Sequence, residues 1–579
     1  MFKKLLKCVR EYKLPSILTL VFIIGEVIIE AIIPFVTANL VNSIKNGVEM
    51  QSVIKTGIVL VVLACVSLAF GGLAGFTCAK ASAGFAKNLR HDIFYRVQNF
   101  SFENIDKFSS SSLVTRMTTD VNNVQMSYMM LIRTAIRSPL MFIFSIIMAY
   151  IMGGALATTF VVVIPVLAIG LFSVSRKAMP AFKSVFKKYD RLNESIEENV
   201  RAMRVVKGFS REDYEKSKFL NAADSIRRDF TKAERIVAFN QPLMQLCLYF
   251  NMGFVLIVGS KMTIESQGTL IDVGQISAML TYGMQILMSL MMLSMIYVML
   301  TMSSESIKRI AEVLDETPTL AQPENPVFEV VDGSVDFDGV SFKYSKSAKR
   351  FALENIDLHI KSGDTVGIIG GTGSSKSTLV QLIARLYDTS EGEVKVGGVC
   401  VKDYDIDTLR KNVSMVLQKN VLFSGTIAEN LRWGNLDATD EELEEACKLA
   451  CAHDFIMSFA DGYNTKIEQG GTNVSGGQKQ RLCIARALLR KPKVLILDDS
   501  TSAVDTKTDA LIRDAFSKFI PETTKIIIAQ RISSVQDADM IVVMDKGRIE
   551  SVGTHDKLLE NSAIYREVYL QQTKGGKEK

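Results

Sequence analysis

Thr365-Val366-Gly367-Ile368-Ile369-Gly370-Gly371-Thr372-Gly373-Ser374-Ser375-Lys376-Ser377-Thr378 leads directly into Leu379-Val380-Gln381-Leu382-Ile383. An apolar run, a Gly- and Ser-rich turn, Lys-Ser and a helical apolar pattern read as strand, phosphate loop and helix. Gly370, Gly371, Thr372, Gly373, Ser374 and Ser375 are small enough for backbone N–H groups to close around a phosphate. The helix that starts next points its positive end at the same anion. Lys376 adds a point charge, Ser377 offers a hydroxyl to Mg2+, and Thr378 completes the motif. Strand and helix flank the turn as the motif requires, which argues against a mere surface turn. One residue departs from the usual pattern: Ser375 stands where Gly normally precedes the Lys.

Downstream residues extend this reading. From residue 327 onward strands alternate with helices, the signature of an α/β domain. Tyr344, ahead of the loop, is a candidate to stack on adenine. Gln418 follows the strand Val413–Leu417, where its amide reaches toward a metal or its water. Ser475-Gly476-Gly477-Gln478 opens a helix and forms a second anion site of backbone N–H groups. Val494-Leu495-Ile496-Leu497-Asp498 is a buried strand ending in an acid, the geometry that holds Mg2+. Asp499 and Ser502-Ala503-Val504-Asp505 follow, and a last strand, Lys525–Ala529, ends in Gln530.

The first half has a different composition. The 579 residues are 48% apolar and carry a formal charge of only +5, which does not argue for nucleic acid. Six stretches are long and apolar enough to span a bilayer: 15–42, 54–79, 129–152, 156–177, 240–262 and 272–301. The connections after the second and fourth are long, polar and rich in Lys and Arg. The N-terminal Lys3, Lys4, Lys7, Arg10 and Lys13 are basic as well. The positive-inside rule therefore places the N-terminus, both long loops and the C-terminal half in the cytoplasm. Residues 1–13 read as a short interfacial helix. The predicted organisation is a transmembrane domain over 1–310, a Pro-containing linker over 311–326 and an ATPase domain over 327–579.

Two readings stay open for Glu26 and Glu30, four apart within the first span: groups facing a polar cavity, or a hydrated position without a specific role. Pro34 is placed to kink that helix. The Met-rich sixth span (Met279, Met284, Met288, Met291, Met292, Met295, Met299, Met302) suits either a substrate cavity or helix packing. The eight Cys are scattered, and Cys447 and Cys451, near His453, read as helix packing rather than a metal site.

Phosphate loop, Val-Ser-Gly-Gly-Gln signature and acid-ending strand, in that order behind six spans, resemble the ATP-binding cassette (ABC) exporters over nearly the whole chain. The resemblance implies a half-transporter: an α-helical membrane domain of six transmembrane helices with long cytoplasmic extensions, fused to one α/β P-loop nucleotide-binding domain. It implies two such ATPase domains stacked head to tail. ATP and Mg2+ then lie between the loop of one and Ser475, Gly476, Gly477 and Gln478 of the other. It also implies coupling helices, expected near Ser110–Thr118 and Phe209–Phe219. Six spans set aside the soluble DNA-repair ATPases that share these motifs.

Two catalytic positions depart from the family. Asp499 stands where competent sites carry Glu, and Gln530 where they carry the switch His. Before the signature, Gln469 and Gly470 replace Glu and Arg. The signature itself is intact. This asymmetry implies a heterodimer: a degenerate site on this chain's loop face, and a signature that completes the active site of a second half-transporter. The expected activity is ATP-driven export of amphipathic small molecules across the plasma membrane by alternating access. Lipid or peptide export, or a regulatory ATP-binding membrane subunit that does not pump, fits the same architecture.

Overall fold

The computed structural model describes residues 2–345, 348–499 and 506–574. The chain divides into two compact units, Met1–Asn99 with Phe108–Glu316, and Phe100–Lys107 with Thr317–Lys579.

The first unit is helical. Its long elements are α1 (Lys13–Lys45), α2 (Met50–Gln98), α4 (Val121–Ile132), α5 (Thr134–Gly153), α6 (Thr159–Arg201), α7 (Glu212–Val237), α8 (Asn240–Glu265) and α9 (Val273–Asp315), while the seven-residue helix α3 (Phe102–Phe108) lies between α2 and α4 along the chain. Among the described residues five continuous helical stretches are long and apolar enough to cross a membrane. One of them, Ser110–Arg201, is broken by the 3-10 turn Gly154–Thr158, where Gly154 takes a φ of +48° that favours glycine. That turn separates α5 from α6, so the five stretches accommodate the six spans read from the sequence. The helices run well past the bilayer thickness; α2 alone has 49 residues.

Several local expectations change. Pro34 lies inside α1 without ending it, and the Tyr282 hydroxyl donates to the Ala31 carbonyl one turn away (2.8 Å). Residues 2–12 form helical turns ahead of α1, Phe2–Leu5 and the 3-10 stretch Leu6–Tyr12. They kink at Arg10 (φ 39°), bury Leu5, Cys8 and Val9, and tie to α2 through Arg10–Asp92 at 2.8 Å. The helix α9 continues to Asp315, so the extended connection begins beyond residue 311. Of the Met-rich face, Met279 is fully buried against Gly153, whereas Met284, Met288, Met292 and Met295 are exposed on this unit.

The second unit carries a six-stranded sheet in the order β12-β11-β3-β10-β9-β6. Its strands are β3 (Thr365–Gly370), β6 (Val413–Val416), β9 (Val494–Asp498), β10 (Thr524–Ile528), β11 (Met540–Asp545) and β12 (Arg548–Gly553), parallel except for the β11–β12 hairpin. A four-stranded antiparallel sheet, β2-β1-β4-β5, is built from β1 (Val335–Phe342), β2 (Leu353–Ile360), β4 (Glu391–Val396) and β5 (Val399–Cys400), and β7 (Gly425–Thr426) pairs with β8 (Lys466–Ile467) in a small two-stranded sheet. The central strands are apolar throughout, as strands covered on both faces must be; every residue of β9 and β10 is buried. A ligand on such a sheet sits at the carboxyl ends of the strands, and here β3, β9 and β10 end side by side.

Phe100–Lys107 belongs with this second unit, so the segment of the first long loop that seats on the ATPase domain is α3 (Phe102–Phe108). Asn104 Nδ2 donates to the Thr317 carbonyl (3.1 Å), and the Phe102 ring lies 6.1 Å from that of Tyr387. The stretch Ser110–Thr118, where a coupling helix is expected, belongs to the helical unit. The stretch Phe209–Phe219 has an exposed Phe209 (75%) at the tip of its loop and belongs to the helical unit as well.

Candidate ATP site

The phosphate loop starts at Gly370, where any Cβ would sit 2.2 Å from the Met544 carbonyl oxygen, so the close approach of β3 to β11 requires glycine. Gly371, Thr372 and Gly373 are exposed, Gly373 at φ +82°, and Ser374 is buried behind them. Ser375, the departure from the usual pattern, caps α10 (Lys376–Ile383) in the left-handed conformation (φ 69°, ψ 27°), with no side-chain bond to the helix. An L-residue there costs about 1 kcal/mol relative to glycine. Ser375→Gly is therefore expected to stabilise the ATPase domain by about 0.5 kcal/mol or more, after the extra entropy of glycine in the unfolded chain is subtracted. A thermal melt of the variant checks this, and a lowered Tm would contradict the strain.

Lys376 lies in the cradle. Its Nζ donates to the carbonyls of Gly370 (2.8 Å) and Gly371 (2.9 Å). Burial pulls its pKa below the ordinary lysine value, while Asp499 and Asp498 push the other way. Ser377 Oγ donates to Asp498 Oδ1 at 2.9 Å, which joins the first helical turn to the end of β9. Asp498 is 3% exposed, and its carboxyl is raised chiefly by burial, opposed by the Ser377 bond. Paired hydroxyl and carboxylate oxygens are the hard donors that Mg2+ prefers. Thr378 Oγ1 shares a hydrogen bond with the Tyr344 hydroxyl (2.8 Å), so the predicted adenine platform sits over the start of α10. The Tyr344 ring meets Phe342 and Tyr387 edge to face, at 5.0 and 5.3 Å, and stays 45% exposed.

Gln418, Asp499 and Gln530 come together. Gln530 Nε2 donates to Asp499 Oδ2 at 2.7 Å, and Gln418 Nε2 lies 3.5 Å from the same oxygen. Strand register explains the meeting. Asp498 on β9 pairs with Ile528 on β10, so the residues just beyond face each other. Asp499 also takes a left-handed φ of 49°, with its N–H on the Ile528 carbonyl (3.1 Å). The stretch Ser502–Asp505 lies outside the described residues.

The signature is a capping box at the start of α11 (Gly476–Leu488). Ser475 Oγ accepts from the Gln478 N–H (3.2 Å), and the Ser475 N–H donates to Gln478 Oε1 (2.8 Å). Gly476 and Gly477 form its first turn. Gln469 and Gly470 lie in a short 3-10 turn ahead of it, with Gly470 at φ +73°.

Two contacts were not legible in the sequence. Gln572, in α13 (Ala563–Lys574, with α12 over Thr506–Phe519), donates to the Gln530 carbonyl (2.8 Å) and accepts from the Ile532 N–H (2.9 Å), clamping the backbone around the switch residue. The Tyr387 hydroxyl donates to Asp106 on α3 at 2.7 Å, joining the ring cluster around Tyr344 to that helix. The cysteines are free, and no group of residues among those described could hold a metal through His, Cys and carboxylates. Burial pushes the Cys447 thiol up to about 12, as expected of a packing cysteine.

Comparison with known proteins agrees with this geometry. Residues 16–291 match the family described as ABC transporter transmembrane region, and residues 353–502 match that described as ABC transporter. The uncharacterized ABC transporter ATP-binding protein YfiB of Bacillus subtilis (strain 168) is 35% identical over 570 residues, 98% of both chains. YknU of the same organism, also uncharacterized, is 33% identical over 482 residues, 83% of this chain and 82% of YknU. The structure of a bacterial Atm1-family ABC exporter with ATP bound superposes with a TM-score of 0.83 at 23% identity, covering 97% of this chain and 98% of that one, which establishes the shared fold. Helical spans followed by this phosphate loop, signature and acid-ending strand thus find full-length counterparts, and the chain belongs to the ABC transporter family, as a half-transporter with its transmembrane region fused ahead of its ATPase domain.

Proposed function

We propose that this chain is one subunit of a heterodimeric exporter, that it holds ATP at a degenerate site, and that its signature completes the hydrolytic site of a second half-transporter. The observation carrying this reading is the Gln530–Asp499 hydrogen bond of 2.7 Å. A competent site needs a longer carboxylate on the attacking water and an imidazole on the γ-phosphate. Here a shorter carboxylate and a neutral amide engage each other. Asp499 is one methylene shorter than Glu, a setback on the order of 1 Å, and displacement of that size costs about 10²-fold in rate. Gln530 has no titratable proton to offer.

In this reading Lys376 and the loop N–H groups hold the phosphates, Tyr344 backs the adenine, and Ser377, Asp498 and Gln418 would hold Mg2+, which would offset the charge of the phosphates. The N-terminus and the ATPase domain face the cytoplasm of a cell whose plasma membrane the helices cross. Binding alone biases the domains toward closure even where this site turns over slowly, because a ligand shifts a two-state equilibrium by its differential affinity. The cargo class is an amphipathic small molecule, in keeping with the exposed Met284, Met288, Met292 and Met295 of α9.

Ser475→Ala tests the head-to-tail arrangement. It removes the capping oxygen and the hydroxyl presented to the partner's nucleotide. Hydrolysis by the assembled pair is expected to fall about 10-fold or more while ATP affinity at this chain's own loop is unchanged. Steady-state phosphate release, with nucleotide binding measured in parallel, decides it; undiminished hydrolysis counts against the arrangement.

A further inference from the structure

The strongest unassigned feature lies within the membrane. Glu26 and Glu30 share one face of α1, with Glu26 roughly 20 Å along the helix axis from Lys13. Arg137, in the first turn of α5, donates to both oxygens of Glu30, at 2.8 and 2.7 Å. The same guanidinium is 3.6 Å from Glu26 Oε1, beyond hydrogen-bond length. Glu26 is only 9% exposed, and its Oε2 is buried with no hydrogen-bond partner. Space for this carboxylate is made by Gly71 on α2, where a Cβ would lie 3.1 Å from Oε1. Arg133, one turn before Arg137, is exposed and forms no ion pair with either carboxylate among the described residues.

Arg137 is committed to Glu30, and Arg133 acts on Glu26 only through its charge, from beyond ion-pair distance. Glu26 thus has a buried oxygen that neither arginine bonds. A carboxylate buried within a bilayer without a bonded partner is costly, and such residues face a ligand path or acquire a counter-ion. Adjacent to Glu26, the Phe22 and Phe70 rings lie 6.1 Å apart, and Phe70 packs over Gly25. Glu30 and Arg137 keep 27% and 40% of their side-chain surface exposed, so the cluster is open on one side of the helical unit. A buried anionic oxygen beside aromatic rings is the chemistry that recognises a lipophilic cation.

We propose that Glu26, held in place by Gly71 and the Glu30–Arg137 pair and flanked by Phe22 and Phe70, receives the positively charged group of a lipophilic cation carried by this transporter. The inference names the charge of the cargo and so rests on the exporter reading above. Its rival is a proton on Glu26, which would need no ligand.

The test uses the full chain in lipid nanodiscs, with tetraphenylphosphonium and the isosteric anion tetraphenylborate as probes. Saturable binding of the cation is expected, weakened about 10-fold or more by Glu26→Gln and within about threefold of native for Glu26→Asp, since loss of one buried charge partner costs at least that much. Tetraphenylborate is expected to bind all three proteins alike, and equal ATP binding by the three shows that each is folded. Native affinity of Glu26→Gln for the cation overturns the proposal and favours the proton. So does an absence of saturable cation binding, or an equal loss for both probes. ATP-dependent uptake into inverted vesicles that carry this chain together with its partner half-transporter separates the two levels. Cation binding that depends on Glu26, without ATP-driven uptake of any compound, leaves the site standing and removes the exporter reading. ATP-driven uptake of the cation that is indifferent to Glu26→Gln does the reverse.

Discussion

The chain purified without a second half-transporter is expected to bind ATP yet hydrolyse it about 100-fold more slowly than the assembled pair, the size of loss that a misplaced catalytic carboxylate produces. The cause lies at the ends of β9 and β10. Asp499 is shorter than the usual Glu, and its backbone is fixed in the left-handed region with its N–H on the Ile528 carbonyl. Its Oδ2 accepts from Gln530 at 2.7 Å. To orient a water, the carboxylate has to leave that bond and reach farther. The backbone on the opposite side is clamped as well, because Gln572 holds both the Gln530 carbonyl and the Ile532 N–H. Steady-state phosphate release from each preparation measures the difference. Within the pair, Asp499→Asn is expected to change turnover by less than about threefold, whereas replacing the partner's catalytic carboxylate abolishes it. Self-pairs of this chain that turn over as fast as the mixed pair would defeat the division of labour.

The sequence made the ATPase site legible because its chemistry is local. Gly370 to Thr378 is one turn between one strand and one helix, and the structure brings Ser377 to Asp498 as the motif implies. Even the meeting of Asp499 with Gln530 follows from two parallel strands ending in register. What escaped depends on contacts distant in sequence. Asp106 and Tyr387 are 281 positions apart, and nothing in the mixed polar stretch Ser101–Lys107 marks it as packing with the second unit. Glu30 reads from the sequence as an intramembrane carboxylate, but its partner Arg137 is 107 positions away on another span. The first twelve residues look amphipathic by composition. Only the fold shows that Leu5, Cys8 and Val9 are buried against protein, with Asp92 and Asn88 of α2 taking polar groups of the segment. The left-handed backbone at Ser375 gives the substitution for glycine a physical meaning that the sequence showed only as a departure.

Lys376→Ala is expected to lower ATP affinity at this chain's own site about 10- to 100-fold, corresponding to the loss of one or more charge-assisted bonds of about 1.5–3 kcal/mol. The geometry gives the ammonium two tasks. In the proposed role it would supply positive charge to the phosphates, and it donates to the Gly370 and Gly371 carbonyls at 2.8 and 2.9 Å, holding the two ends of the turn together. Burial lowers its pKa from the ordinary lysine value, and the nearby Asp499 and Asp498 oppose that shift. Alanine removes the charge and leaves both carbonyls without that donor. Lys376→Arg is expected to rescue poorly, because a planar guanidinium does not fit a position built around a compact point charge between two carbonyls. Titration with a fluorescent ATP analogue, with the partner's loop disabled, isolates this site. An unchanged affinity would mean that the cradle's N–H groups bind the phosphates unaided. The same measurement bears on the degenerate reading: a site that lost its ability to cleave but still holds nucleotide must keep Lys376 in use, and a chain indifferent to its loss would have a vestigial cradle rather than a regulatory one.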